Sequence, residues 1–159
     1  MWAQLPVRLH DFAIIQVAVS NGSPGPYTIR PEDFTWVRKA DVGDVHASSA
    51  RNVIDMLMHK GTGGDVVKLI TTYENGVYGN THFHSTNGYE QRREAALAMG
   101  GGSRLRAATA ASALALVQTK LIQGETTDGA VFFPTEGKPL IGGKLIVRTN
   151  TDVFEFNAE

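Results

Sequence analysis

The chain has 159 residues, with 15 basic and 16 acidic side chains, and a net charge of −1 offers no field to hold a nucleic acid or an anionic membrane surface. It contains no cysteine, which excludes disulfides, thiolate catalysis and thiolate zinc sites. With 42% apolar residues and no apolar run near the roughly 18 residues of a membrane span, it reads as a single globular domain over residues 1–159 with no membrane span.

The two ends read as β-strand and the middle as helix: strands in 5–40 and 115–158 flank a helical insertion over 44–115. At the start, Trp2-Ala3-Gln4 has the form of the tail of a removed secretory signal, which predicts an extracytoplasmic location, periplasmic or secreted. In the run from Phe12 to Val19 both parities are apolar, interrupted by Gln16, so this strand is expected to be central and covered on both faces. Asn21-Gly22-Ser23-Pro24-Gly25-Pro26 ends it in a turn. Tyr27–Arg30 forms a short strand, Pro31-Glu32-Asp33 a corner, and Phe34–Arg38 an alternating strand with Phe34, Trp36 and Arg38 on one side.

Four helices follow. Ala50, Val53, Ile54, Leu57 and Met58 make an apolar stripe between a serine cap at Ser48 or Ser49 and a stop at Gly61. Val66, Leu69, Ile70, Tyr73 and Val77 repeat the pattern. Asn87 and Glu90 have capping-box spacing and open a third helix over Gly88–Met99, and Ser103 caps an alanine-rich fourth over Arg104–Ala115. The helices are expected to decorate one end or face of the strand body. After them come strand patterns at Leu116–Leu121, Gly129–Pro134, Lys144–Thr149 and Val153–Asn157, bringing the total to six or seven.

Several of these features coincide with a known pattern. Asn21-Gly22-Ser23 after a buried strand, the Pro31–Phe34 corner, Leu121–Glu125 with Gly129, Val131 and Phe133, and the closing Phe154 and Phe156 together resemble bacterial secreted and lipoprotein-type immunoglobulin-like β-sandwich domains. The similarity extends to a proteinase-inhibitor-like sandwich, and covers the two ends of the chain only. It implies an α+β fold, an immunoglobulin-like antiparallel β-sandwich carrying the helical insertion. It also implies a non-catalytic module that binds, spaces or assembles through protein contacts outside the cytoplasm, with no cofactor and no catalytic residues.

Residue chemistry leaves few sites. His82 and His84 flank Phe83, and in an extended segment both imidazoles share a side, so they offer two metal positions; His46, His59 or Glu90 would have to supply a third. The alternative is a polar loop with Phe83 turned inward. Gly100–Ser103 before Arg104 and Arg106 is either a hinge or the amide end of an anion site, without the lysine of a phosphate loop. Trp36 and Tyr27 are the aromatic candidates for a binding surface, with core packing as the other reading of Trp36. No Gly-x-Ser-x-Gly elbow is present, and the carboxylate pairs sit at turns and caps. Two alternatives accompany the binding-module reading: a subunit that self-associates by edge-strand pairing, with Trp2–Leu9 as the donated segment, and a proteinase inhibitor presenting Asn21–Pro26.

Overall fold

The computed structural model describes residues 1–39, 43–78 and 89–158. Among the described residues it is a mixed α+β architecture with four α-helices and antiparallel sheets. The elements are β1 (Trp2–Ala3), β2 (Val7–Leu9), β3 (Phe12–Ser20), β4 (Tyr27–Ile29), a 3-10 turn at Pro31–Asp33, β5 (Phe34–Val37), β6 (Asp44–His46), α1 (Ala50–Lys60), α2 (Gly63–Tyr78), α3 (Tyr89–Leu97), α4 (Ser103–Leu114), β7 (Thr119–Leu121), β8 (Thr126–Pro134), β9 (Lys144–Arg148) and β10 (Val153–Asn157).

The first sheet is built on β3, which pairs along its whole length with β8, from Phe12 against Pro134 to Ser20 against Thr126. Its other side takes β1 at Val17 and Ala18 and β2 at Phe12 to Ile14. The second sheet runs in the order β10, β9, β5, β6. A short ladder joins β4 to β7.

The two apolar parities of β3 face two separate cores. Ala13, Ile15, Val17 and Val19 pack with Phe34, Trp36, Leu145 and Val147 of the second sheet. Ile14, with Ala130 and Phe132 of β8, packs instead against Val53, Leu57, Leu69 and Leu114 of the helices. The helices are therefore a full third layer with a core of their own, rather than decoration on a finished sandwich. A fully buried leucine or valine stabilises by about 1.5–3 kcal/mol, so a face this apolar requires such a cover.

Two local details depart from the sequence reading. Asp44–His46, placed above within the helical insertion, pairs with Val37–Thr35 as a strand. Three residues, two of them polar, are too short a run to show an alternation. Gly102 rather than Ser103 is the N-cap of α4, and Ser103 begins the helix. The His82–His84 segment and Asn87 lie outside the described residues.

The helical block leaves and rejoins the sheets at one place. Ser48 bridges Phe132, and Ala115 bridges Ala130 two positions away on β8. The Ser48 amide donates to Phe132 O at 2.7 Å and the Leu116 amide to Ala130 O at 2.9 Å, which seals the outer edge of β8. Gly129 makes that approach possible, because a Cβ there would stand 2.4 Å from Leu116 Cα.

Candidate functional site: an open strand edge ending in a basic cleft

Sheet edges expose unpaired amides and carbonyls, and folds usually blunt them. Here the β8 edge is sealed, the β1–β2 edge is interrupted by Pro6, and β6 is three residues long with Asp44 and His46 exposed. β10 differs. All five of its residues pair with β9 without a bulge, and it contains no proline.

The register fixes which groups face outward. The Ala158 amide donates to Gly143 O at 3.0 Å, continuing the β9–β10 ladder. Alternate residues of an antiparallel strand turn their backbone groups to the same neighbour. Phe154 and Phe156 therefore bond β9, while Val153, Glu155 and Asn157 present amides and carbonyls to the open side, without partners among the described residues. The side chains of Val153, Glu155 and Asn157 are exposed, and Phe154 and Phe156 lean into the inter-sheet core.

The strand runs into a cleft of about 600 Å³ at its C-terminal end. Arg38 and Lys39 follow β5, Gly142 and Gly143 precede β9, Lys144 opens it, and Asn157 and Ala158 close the wall. Three cations and no carboxylate or imidazole stand among its described lining residues. Arg38 Nη2 donates to Thr135 O at 3.0 Å, which holds the guanidinium in place, while its Nε is shut away without a partner among the described residues. Lys144 makes one exposed contact to Glu155 Oε2 at 3.3 Å, a pair of the kind that contributes little.

The sequence candidates distribute as follows. Trp36 is 2% exposed and sits in the inter-sheet core, its Nε1 buried without a partner among the described residues. A Cβ on Gly143 would come within 2.6 Å of that nitrogen, so only glycine lets the cleft wall lie against the indole. Trp36 also lines a cavity of about 40 Å³ shared with Gln4 and Asn157. Tyr27 is half-buried at the opposite end of β10, in a cavity of about 170 Å³ with Asp152 and Phe154. Its hydroxyl bonds Thr149 Oγ1 at 3.0 Å, and burial raises its pKa against that bond. The two aromatics thus flank the ends of β10. Arg104 is exposed in the first turn of α4, on the far layer, and takes no part in this site. His82 and His84 lie outside the described residues; among those described, no group of three His, Cys, Asp or Glu side chains is placed to hold a metal ion.

Two polar clusters escaped the sequence reading. Arg93 of α3, 3% exposed, donates to Asp128 Oδ1 at 2.6 Å, to Asp128 O at 2.7 Å and to Ala113 O at 3.1 Å, with Tyr73 beneath it at 5.5 Å. This pair joins the helical layer to β8, and Gln16 Nε2 reaches the same carboxylate at 3.4 Å. His10 meets Asp65 at 2.7 Å. Both are contacts between distant segments, and spacing carries no signal for them.

No helix among the described residues is long and apolar enough to cross a membrane. The chain matches no family model, and neither the curated proteins nor the solved structures contain a significant match to it.

Proposed function

We propose that the protein is a non-catalytic binding module acting through protein-protein contacts, and that an extended segment of another chain adds to the open edge of β10. The observation that carries this reading is the row of backbone groups at Val153, Glu155 and Asn157, unpaired among the described residues, on a strand without proline or bulge. Face-to-face packing of the two sheets over one apolar core agrees with an immunoglobulin-like sandwich, with the helical layer added on the outer face of the first sheet. The cleft at the strand's end has no carboxylate or imidazole among its described lining residues, which favours binding over acid-base chemistry. Within Trp2–Leu9, β1 and β2 are already paired to β3 of the same chain, which favours a guest strand from a different protein over the N-terminus of a second copy.

The test uses the register. Proline at position 155 removes an outward amide and leaves the β9 ladder intact. A β-prone peptide is expected to slow amide exchange at Val153, Glu155 and Asn157 in the native protein, and Glu155→Pro is expected to abolish binding with the protein still folded. Peptide binding that is unchanged in Glu155→Pro would reject the edge as the site.

A second reading has its own observation. Gly22–Pro26 is exposed, yet Asn21 beneath it is buried and braces it: Asn21 Nδ2 donates to Gly25 O at 2.8 Å and Leu121 O at 2.9 Å, and Asn21 Oδ1 accepts from the Ser23 amide at 2.9 Å and hydroxyl at 2.7 Å. A projecting loop already held in one shape suits a proteinase inhibitor. Inhibition of a panel of serine and cysteine proteases, lost in Asn21→Ala, would establish it; a panel wholly uninhibited removes it.

A further inference from the structure

The cleft and the open edge are one continuous surface, since Asn157 ends β10 and lines the cleft with Ala158. Direction matters here. β10 runs from Val153 toward the cleft, and every pairing in this fold between named strands is antiparallel. A guest added to β10 in the same sense therefore runs away from the cleft, and its N-terminal residues lie over it.

What those residues must be follows from the lining. Arg38, Lys39 and Lys144 concentrate positive charge at this point of a chain whose net charge is −1, with no acid among the described lining residues. Arg38 is fixed by Thr135 O, so its guanidinium is preorganised, whereas Lys39 is exposed and Lys144, among the described residues, pairs with the exposed Glu155. An apolar or basic leading residue would leave the cations facing it, and an acidic one pairs with them. The wall is kept thin by Gly143, where any side chain would strike Val37 O and the Trp36 indole.

We infer that the partner is an extended peptide segment led by an acidic side chain, whose carboxylate enters the Arg38–Lys39–Lys144 cleft while the following residues pair antiparallel with β10. This rests on the edge-addition reading above and adds the chemistry and the polarity of the guest.

Three N-acetylated, C-amidated peptides with the same alternating valine-threonine body test it by calorimetry: one led by glutamate, one with the glutamate moved to the last position, and one led by glutamine. The leading-glutamate peptide is expected to bind at least about tenfold more tightly than the other two, which corresponds to about 1.4 kcal/mol, and to weaken as salt is raised. Lys39→Glu, an exposed position, is expected to erase that preference. Equal affinity for all three peptides, with binding still lost in Glu155→Pro, overturns the cleft inference and leaves the edge intact. Preference for leading glutamate that survives Glu155→Pro but not Lys39→Glu leaves the acid site and overturns the strand. No binding by any of the three overturns both.

Discussion

His10 Nε2 lies 2.7 Å from Asp65 Oδ2, and this contact ties the β2–β3 turn to the first turn of α2. His10 holds a left-handed φ of 52°, a conformation histidine tolerates better than most side chains. Asp65 also accepts the Thr62 amide at 2.9 Å, and the Asp65 amide donates to Thr62 Oγ1 at 3.2 Å, so one carboxylate both caps a helix and fastens a sheet turn to it. Burial opposes ionisation of Asp65, but the bonds from His10 and Thr62 outweigh it and hold its pKa below the ordinary value. A carboxyl with a lowered folded pKa stabilises the fold above its unfolded value and loses that contribution as pH falls through the folded one. Asp65→Asn should therefore be less stable near neutrality and lose less on acidification below about pH 4. Urea midpoints at about pH 7 and about pH 3 measure this, and parallel pH profiles for the two proteins would contradict it.

The Arg93–Asp128 pair should be costly to break and cheap to replace. Removing one partner from a buried pair typically costs about 3–5 kcal/mol, because the other charge stays behind unpaired. Arg93→Met and Asp128→Leu singly are expected in that range. The double variant should recover much of the loss, and strict additivity of the two in chemical denaturation would refute the pairing.

Gly129 and Gly22 make a matched contrast. A methyl group at Gly129 meets Leu116 backbone, which cannot yield without moving the sealed edge, whereas nothing lies within 4 Å of the same position at Gly22. Gly129→Ala should cost roughly 1–3 kcal/mol and Gly22→Ala less than about 0.5. Thermal midpoints of the two variants decide it, with equal shifts as the adverse result.

The helical layer should melt together with the sheets. Leu57 is fully buried in the core that faces Ile14 and Phe132, so Leu57→Ala is expected to cost about 2–5 kcal/mol. The transition should stay single by far-UV and tryptophan signals, Trp36 reporting the second core. Two separate transitions would mean that the layers fold independently.

Much of the frame was legible. The two-sided apolar run Phe12–Val19 announced a central strand, and the structure supplies the reason: each parity has its own cover. The stripes of α1 and α2 and the shared side of Phe34 and Trp36 were readable for the same cause, periodic burial, whereas which way that side faced was not. The candidate site was not. It is assembled from Val37–Lys39, Gly142–Lys144 and Asn157–Ala158, segments that become neighbours only once β5, β9 and β10 are in register. A lysine or arginine beside a strand looks solvated in sequence, and the three stand out only because the fold brings them to one cleft with no acid among its described lining residues. Gln16 was the one visible irregularity in β3, and it marks the face where Arg93 and Asp128 meet.

The shared doorway of the helical block on β8 has a kinetic consequence. β3 and β8 must find each other across more than a hundred residues, as Gln16 and Asp128 do at a separation of 112, a closure that slows folding. A helical unit that condenses early holds Ser48 and Ala115 side by side, two rungs apart on their common strand, and spares the chain most of that search. In stopped-flow refolding, weakening the helices at Leu57 should then slow formation of the sheets rather than merely hasten their loss.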